Sequence, residues 1–434
     1  MMRKSFAKRM FSLCGALLIF GSLLGCQPGE GSSSTDSPSS VPPVELELPK
    51  MEITNKKLRF LNPNAGVMRF AETYLKTEYG IDDLEIVNVP PAEVRTRFVN
   101  SVMSNDYFDI YWDNFSPSLI NGGYVQAIDV DMTSPIWSEV VASNEQYMWN
   151  GKRYYVVPGF AKQIMVYYNK NMFDEAGETY PTELFDNGEW DWNKLLELAQ
   201  TLTLDSDRDG TPEQYGLSCG EPELLMFTTG KHLVTFMPDG TARNNIGSPE
   251  VARAVAFYSK LLQSRTMTTS DAYKAFAAGT VAMSIGHRWV ANDCAKLIQA
   301  DSLGVAPLPR DPDADQYYTE EEGGGFYVSK GAPNLQGAIA CCNVYAYVIR
   351  SKAYIRDQYE YNIDNGVWTE ELQKQYERNN QLVGVLRNWE SFNMGDYWGD
   401  LFSRPAGGEP WETIAAELSP KVDARIKELY EAKE

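Results

Sequence analysis

Aromatic residues stand beside polar ones at several points of the sequence, and these pairs are the first candidates for binding chemistry. Trp112–Asp113, Arg288–Trp289 and Trp389–Glu390 each combine a broad apolar ring with a side chain that exchanges hydrogen bonds. A saccharide needs this combination, because its C–H face is apolar while its hydroxyls need paired donors and acceptors. The other candidates for ligand contact are Lys162, Gln163, Phe326 and Trp398.

Each candidate has an ordinary structural alternative. A Trp side chain buries a large area and is frequently part of a core. For Trp112 the neighbouring polar residues favour a ligand platform, whereas for Trp289 and Trp398 a platform and a core position stay equally open. Lys162 is equally explained as a solvated loop charge. Three further tryptophans are left as core or surface residues: Trp137, Trp149 and Trp368.

An acidic loop offers a second kind of chemistry. Its acids Asp205, Asp207, Asp209 and Glu213 occupy positions one, three, five and nine of the segment, as in the first part of a calcium-binding EF-hand loop. Position twelve is Gly216 instead of the bidentate Glu, which excludes a full EF-hand. The alternative is an Asx-rich turn without metal. The sequence therefore requires no cofactor, but it leaves a structural calcium ion open.

Histidines are too few for several common catalytic sites. Only His232 and His287 occur, which argues against a histidine-based triad and against a multi-histidine metal centre. A glycoside hydrolase with two catalytic carboxylates remains an alternative, because acids are plentiful. The sequence favours a protein that binds and does not catalyse.

Charge and cysteines restrict the partners and the chemistry further. The formal net charge of −20 argues against nucleic acid and anionic membranes as partners, and it suits solubility outside the cell. No Cys-x-x-Cys pair supports a zinc or redox motif. Cys341 and Cys342 lie in the apolar run Ala338–Val348, which favours buried free thiols over disulfide bridges.

The N-terminus has the pattern of a secretory signal. Four basic residues within 1–10 precede the apolar stretch Phe11–Leu24, which is too short for a comfortable membrane span. Leu23-Leu24-Gly25-Cys26 resembles a bacterial lipobox, so we expect residues 1–25 to be removed and Cys26 to carry lipid such as palmitate. The following Ser-, Pro- and Gly-rich segment, within residues 26–55, predicts a flexible tether.

Alternating strand and helix patterns must position these residues. The order strand, helix, strand, helix, strand predicts a mostly parallel sheet, whose carboxyl ends are where open α/β sheets place ligands. Trp112 falls at such an end. The predicted elements are Lys57–Leu61, Val67–Glu78, Leu84–Val89, Ala92–Met103 and Phe108–Trp112.

Two backbone breaks divide the rest of the chain. Pro158-Gly159 separates the predicted strands Tyr154–Pro158 and Ile164–Tyr168, and Gly323–Gly325 forms the second break. The remaining chain is too long for one ordinary core, so we expect two lobes with crossings at these breaks. Further predicted elements are the helices Trp192–Leu204, Ser248–Leu262, Asp271–Ala278 and Thr413–Tyr430, and the strands Val281–Ile285 and Leu303–Ala306.

The order of several short motifs resembles a known family. Gly122-Gly123-Tyr124-Val125, Val166 to Phe173, Ala275 to Gly279 and Gly286-x-x-Trp289 follow one another as in the family-1 extracellular solute-binding proteins of ABC importers, the carbohydrate binders related to maltose-binding protein. The resemblance runs from about Lys57 to Tyr430.

This resemblance implies an α/β, two-lobed periplasmic binding protein-like fold of type II, with discontinuous lobes joined by a hinge that close over a ligand. Lobe 1 would comprise 56–160 and 323–355, and lobe 2 would comprise 161–322. Residues 356–434 would form C-terminal helices packing on both lobes.

The implied function is capture of a sugar or oligosaccharide and its delivery to ABC transporter permease subunits. The protein would be lipid-anchored on the extracellular face of the cell membrane, with no nucleic acid partner. Two alternatives stay open: a lipid-anchored glycoside hydrolase, and a binder of peptides or other small polar solutes.

Overall fold

A computed structural model describes residues 46–237, 239, 241–288, 300–364, 368–387, 397 and 399–430. From Glu45 onward the chain forms one compact unit. Among the described residues the strands are β1 (Lys57–Leu61), β2 (Asp83–Val87), β3 (Ile110–Asp113), β4 (Val125–Gln126), β5 (Met148–Trp149), β6 (Lys152–Arg153), β7 (Ile164–Asn169), β8 (Tyr215–Cys219), β9 (Val234–Phe236), β10 (Ala242–Asn244), β11 (Met267–Thr268), β12 (Val281–His287), β13 (Leu303–Ala306), β14 (Tyr318–Glu321), β15 (Gly325–Ser329) and β16 (Val383–Leu386).

Helices cover both faces of the sheets. In the described chain they are α1 (Ala65–Tyr79), α2 (Pro91–Met103), α3 (Pro117–Asn121), α4 (Val141–Glu145), α5 (Lys170–Ala176), α6 (Pro181–Asp186), α7 (Trp192–Thr201), α8 (Pro249–Gln263), α9 (Ala272–Ala277), α10 (Leu335–Arg350), α11 (Lys352–Asp364), α12 (Glu370–Asn380), α13 (Arg404–Ala406) and α14 (Trp411–Tyr430).

The first sheet has the strand order β2–β1–β3–β15–β4. Strands β1, β2 and β3 are parallel, as the alternating sequence pattern predicts. Strand β15 returns from far along the chain and runs antiparallel to β3, with Phe326 opposite Trp112 and Gly325 opposite Asp113. The carboxyl end of β3 therefore meets the point where the chain re-enters this sheet.

The second sheet has the order β11–β8–β12–β7–β13. Strands β8 and β12 are parallel neighbours, with Ile285 opposite Cys219, so the residues that follow both strands emerge at the same edge. Strand β7 runs antiparallel to both β12 and β13. The two sheets are the cores of the two lobes, and each is assembled from segments distant in sequence.

The prediction of a strand at Tyr154–Pro158 is wrong. Within this segment only Val156 pairs with another strand, as an isolated bridge to Phe326. The buried Asn144 side chain takes the place of a neighbouring strand, because its amide accepts from Val157 N and donates to Val157 O, each at 2.9 Å. A local side chain satisfies this backbone, so no ladder is needed.

Helix ends follow local chemistry. Helix α7 begins after Asp191, whose carboxylate accepts from Lys194 N at 2.9 Å, and it buries Leu195 and Leu198. It ends at Thr201, three residues before the predicted end, and the chain then turns so that Leu204 pairs with Gln214. Helix α1 closes on Gly80, whose φ of 66° suits a residue without a Cβ.

The described thiols Cys219, Cys341 and Cys342 are buried and free, as predicted for Cys341 and Cys342. Burial raises the pKa of each of these thiols, which keeps them protonated and unreactive. Cys294 lies outside the described residues. No helix in the described part of the chain is long and apolar enough to cross a membrane.

Candidate ligand-binding site

Strand ends from both sheets are linked by a short path of contacts and one electrostatic interaction. A Cβ on Gly324 would lie 2.7 Å from the Trp112 indole, so this glycine permits the close approach of the crossing chain to the first sheet. Two residues earlier, Glu322 acts electrostatically on Arg387, and Arg387 Nη2 donates to Glu221 Oε2 at 3.1 Å. Glu221 follows β8 of the second sheet. This path defines the candidate site.

Trp112 presents part of its ring at this site. It is half-buried, and it packs edge-on against Phe326 with a centroid separation of 4.9 Å. Phe326 itself is 0% exposed in the core of the first sheet. The expected contact between Phe326 and a ligand is therefore not available in this structure, and Phe326 supports the Trp112 ring instead.

Asp113 is engaged within the protein. Its Oδ2 accepts from Arg95 Nε at 3.0 Å and from Arg95 Nη2 at 2.8 Å, and it also accepts from the Tyr111 hydroxyl. Burial together with the Asp113 charge raises the pKa of Tyr111, so the phenol stays a donor. Asp113 thus reaches the strand end as predicted, but with an arginine already bound to it.

Lys162 and Gln163 stabilise the first crossing. Lys162 Nζ donates to the backbone oxygens of Asn380 at 2.9 Å and Leu382 at 2.5 Å, which ties the crossing to the end of α12. Burial lowers the pKa of Lys162, and the charge of Glu321 opposes this. Gln163 N donates to Glu320 Oε2 at 3.4 Å. These contacts give both residues a structural role at the crossing.

A group of charges lies beside the crossings; we call it the hinge-side cluster, and its members are Glu221, Glu223, Tyr273, His287, Glu320, Glu322 and Arg387. Glu221 is its centre: Tyr273 OH donates to Oε1 at 2.8 Å, and His287 Nε2 lies 3.1 Å from the same oxygen. Burial raises the pKa of Glu221, but bonds from His287 and Tyr273 and the charges of His287 and Arg387 outweigh it and lower the pKa to about 2. Glu221 is therefore a carboxylate at physiological pH.

The deeper carboxyls of this cluster behave in the opposite way. Glu320 is 0% exposed, and burial, with a smaller contribution from the Glu322 charge, raises its pKa well above the ordinary value. Burial also raises the pKa of Glu223. Arg387, whose side chain is only 8% exposed, lies 3.6 Å from Glu223 and is the cation that these acids share.

A second group faces the site from the other side of β12; we call it the arginine–aromatic cluster, formed by Arg288, Trp368 and Tyr376 and approached by Tyr354. The Arg288 guanidinium carbon lies 4.0 Å from the ring centre of Tyr376 and 4.6 Å from that of Trp368. Tyr354 belongs to α11, on the side of the first sheet, and packs edge-on against Phe70 at 5.5 Å. Burial raises the pKa of Tyr354, while the charges of Arg288 and Arg69 lower it. Arg288 thus approaches elements of both lobes.

Several of these residues were not predicted from the sequence. Glu221 follows a strand end just as Asp113 completes one, so the same rule applied to β8 would have found it. Trp368 was left undecided, and Tyr354, Tyr376 and Arg387 carry no local motif, because only tertiary packing brings them to the strand ends. The predicted contacts Trp289, Trp389, Glu390 and Trp398, and the lipidation site Cys26, lie outside the described residues.

The acidic loop is compact. Single carboxylate oxygens of Asp205, Asp207 and Asp209 lie within 4.8 Å of one another. Each of these acids also accepts a backbone N–H of the loop, for example Thr211 N to Asp209 Oδ1 at 2.7 Å, and Glu213 accepts from Ser206 N at 2.8 Å. The loop has the bonds of an Asx-rich turn and the donor set of a cation site, so structural calcium stays a prediction.

Comparison with known proteins agrees with this architecture. A family model described as bacterial extracellular solute-binding protein matches residues 61–343. No curated protein matches the sequence. Among solved structures, the sugar-binding protein MalE from Xanthomonas citri is 15% identical with a TM-score of 0.64, over 86% of this chain and 98% of that one.

Two further structures are similar over nearly their whole length. The cyclic alpha-maltosyl-1,6-maltose binding protein from Arthrobacter globiformis is 16% identical, with a TM-score of 0.60 over 86% of this chain and 99% of that one. The GacH receptor of Streptomyces glaucescens, solved without ligand and with acarbose, is 19% identical, with a TM-score of 0.56 over 86% and 98%. The shared fold is the two-lobed α/β fold of periplasmic sugar-binding proteins.

Proposed function

The chain belongs to the family of bacterial extracellular solute-binding proteins, and we propose that it captures a sugar or oligosaccharide and delivers it to the permease subunits of an ABC importer. The observation that carries the proposal is the half-buried Trp112 ring at the carboxyl end of β3, linked through the crossing chain to Glu221 at the end of β8. A ligand in that position touches segments of both lobes, so its binding stabilises the closed arrangement.

The side chains around this position suit a saccharide. Trp112, Phe70 and Tyr354 are half-buried rings, each with an aromatic neighbour that fixes its orientation. Such rings present a rigid apolar face to the C–H side of a sugar. The carboxylates Asp113 and Glu221 are acceptors for hydroxyl groups, and both remain partly exposed. The structural similarity to the maltosyl-maltose binding protein and to the sugar-binding protein MalE supports the same ligand class.

We infer that binding is the whole activity. A glycoside hydrolase needs one carboxyl with a raised pKa that reaches the scissile bond. Glu223 and Glu320 have raised pKa values but are almost completely buried. Burial also raises the pKa of Glu321, whose Oε2 accepts from Ser143 Oγ at 3.2 Å and whose side chain lies against Gly384. The partly exposed carboxylate Glu221 has a lowered pKa, which suits an acceptor and not an acid catalyst.

We also propose that Cys26 carries the lipid that holds the protein on the outer face of the cell membrane. The support is the sequence Leu23-Leu24-Gly25-Cys26 at the end of a signal-like segment. Cys26→Ser should release the protein from the membrane fraction or block its processing, as followed by fractionation and lipid labelling. Unchanged membrane retention and labelling would refute the anchor and leave the binding function intact.

A structural calcium ion at the acidic loop is the remaining part of the proposal. Calcium should raise the melting temperature of the wild type, and a chelator should lower it, because an ion bound only to the folded state stabilises that state. Asp207→Ala should abolish the response without changing saccharide affinity. Asp239→Ala, at an exposed turn elsewhere, is the control. A wild-type melting temperature indifferent to calcium and chelator would exclude the site.

Thermal shift against a panel of oligosaccharides, with peptides as a second panel, tests the function itself. At least one saccharide should raise the melting temperature in a concentration-dependent way. Stabilisation by peptides alone would assign the protein to another solute class. Release of reducing ends during prolonged incubation with a bound saccharide would show a glycoside hydrolase instead.

A further inference from the structure

Arg288 differs from the other guanidiniums near the candidate site. Arg69, Arg95 and Arg387 each form an ion pair, with Asp357, Asp113 and Glu221. Arg288 is half-buried and contacts two aromatic rings, but no carboxylate in the described part of the chain forms an ion pair with it. The counter-charge of Arg288 is therefore not supplied by the residues that the structure describes.

This arrangement is costly without a partner. Removing a cation from water is unfavourable unless the charge is paired, and stacking on aromatic rings returns only about 0.5–2 kcal/mol. The guanidinium carbon lies within cation–π distance of both rings, so two aromatic contacts restrict its position. The N–H donors of the guanidinium lie in its plane, in the fork geometry that matches a carboxylate bidentately.

A second donor of the same cluster also lacks an acceptor. Trp368 is 3% exposed, and its Nε1 is buried without a hydrogen-bond partner among the described residues. Buried polar groups are normally bonded, so an unpaired indole N–H beside an unpaired guanidinium marks a surplus of donors. The rings that meet this cluster across the site, Tyr354 and Phe70, add apolar surface. The acid that acts on Tyr354, Asp357, already forms an ion pair with Arg69.

We propose that the arginine–aromatic cluster is a subsite for the carboxylate of an acidic saccharide, a uronic acid unit, with Arg288 as its anchor. The proposal rests on the proposed function, because it deepens saccharide capture by naming the ligand class. Arg288 pairs with the carboxylate, and the Tyr354 and Phe70 rings stand beside the sugar ring.

The opposite charge at the other end of the site fixes the direction of the ligand. Glu221 and Glu322 make the hinge-side cluster rich in carboxylates, with Arg387 shared among them. A uronate group there meets like charges, whereas neutral hydroxyls find acceptors. The ligand therefore places its acidic unit toward Arg288 and its neutral part toward Glu221.

Isothermal titration calorimetry with matched sugars tests this subsite. The probes are trimers of galacturonate, glucuronate, mannuronate and guluronate, each compared with its carboxyl-reduced neutral counterpart. At least one uronate trimer should bind roughly tenfold or more tightly than its reduced form, and its affinity should fall as salt is raised. Arg288→Gln should remove this preference, so that the uronate trimer and its reduced form bind with similar affinity.

Two further variants keep the test decisive. Arg288→Lys preserves the charge but not the fork, so it should recover only part of the preference for the uronate. Arg356→Gln is the control, because Arg356 is exposed on α11 and forms an ion pair with Glu360. If Arg288→Gln does not fold, the uronate-to-neutral ratio of the wild type and of Arg288→Lys decides.

Tighter or equal binding of the neutral trimers would overturn the subsite and leave the proposed function standing, and so would an unchanged uronate affinity in folded Arg288→Gln. Binding of peptides with no saccharide binding at all would remove the proposed function and the subsite together.

Discussion

The hinge-side cluster and the arginine–aromatic cluster lie at the two sides of one strand, β12, yet they balance their charges differently. His287 and Arg288 are adjacent in sequence, and each enters one cluster. In the first, the charges of four glutamates of the protein act on Arg387. In the second, the cation has aromatic neighbours and no described counter-ion. The difference separates charges that hold the crossings in place from a charge that is available to a ligand.

The largest expected effect is on stability, at Arg387. Arg387→Ala leaves Glu221 and Glu223 without their buried cation, and breaking such a pair costs about 3–5 kcal/mol of unfolding free energy. Arg288→Ala should cost roughly 1 kcal/mol, because only the cation–π contacts are lost. Urea unfolding of both variants measures the two values. Equal costs would mean that the two clusters do not differ as described.

The second effect is on affinity, at Trp112. Trp112→Ala should weaken saccharide binding by about 1–3 kcal/mol, roughly tenfold to two-hundredfold, because a stacking ring is lost. Trp411→Ala is the matched control, since this half-buried ring begins α14, which packs against α3 and β10. Titration calorimetry with the best saccharide compares them. Unchanged affinity in a folded Trp112→Ala protein would make Trp112 a core residue only.

The smallest effect concerns the pH dependence of stability within the hinge-side cluster. The folded-state pKa of Glu320 is raised above the ordinary 4.5, so ionisation of Glu320 opposes folding as pH rises from 4.5 through the folded pKa. Glu320→Gln should therefore be more stable than the wild type at neutral pH and gain nothing below pH 4.5. Thermal melts across this range measure the difference.

Glu221→Gln is the matched control with the opposite sign. Because the pKa of Glu221 is lowered to about 2, its stabilisation is present above pH 4.5 and disappears as pH falls toward 2. The variant should be less stable than the wild type at neutral pH and equal to it at the acid end. If both variants shift stability in the same direction, the distinction between deep and shallow carboxyls in this cluster is wrong.

Local sequence patterns were sufficient to predict the elements of the first sheet and the residues at the ends of its strands. The period and order of elements predicted β1, β2 and β3 and placed Trp112 at a carboxyl edge, because hydrophobic pattern and turn residues are local. The Tyr154–Pro158 strand failed because Asn144 bonds that backbone, an arrangement that no periodicity reveals.

The residues that surround Arg288 could not be predicted from sequence patterns. The residue itself was predicted for its polarity beside Trp289, but its partners Trp368 and Tyr376 are brought to it by α12 packing near β13. Likewise, Phe326 follows the second break as expected, yet its register opposite Trp112 on β15 buries it. Sheet register and helix packing decide which aromatic rings face a ligand, and neither can be predicted from residues that are neighbours in the sequence.

Small-angle X-ray scattering with and without the best-binding saccharide tests most directly whether capture of a saccharide closes the two lobes. The radius of gyration of the wild type should decrease at saturating saccharide, because the ligand contacts both lobes only when they are closed. Trp112→Ala should require a correspondingly higher saccharide concentration for the same decrease. A saccharide that binds at saturation without changing the radius of gyration, and with an affinity indifferent to Trp112→Ala, would contradict a ligand site between the lobes.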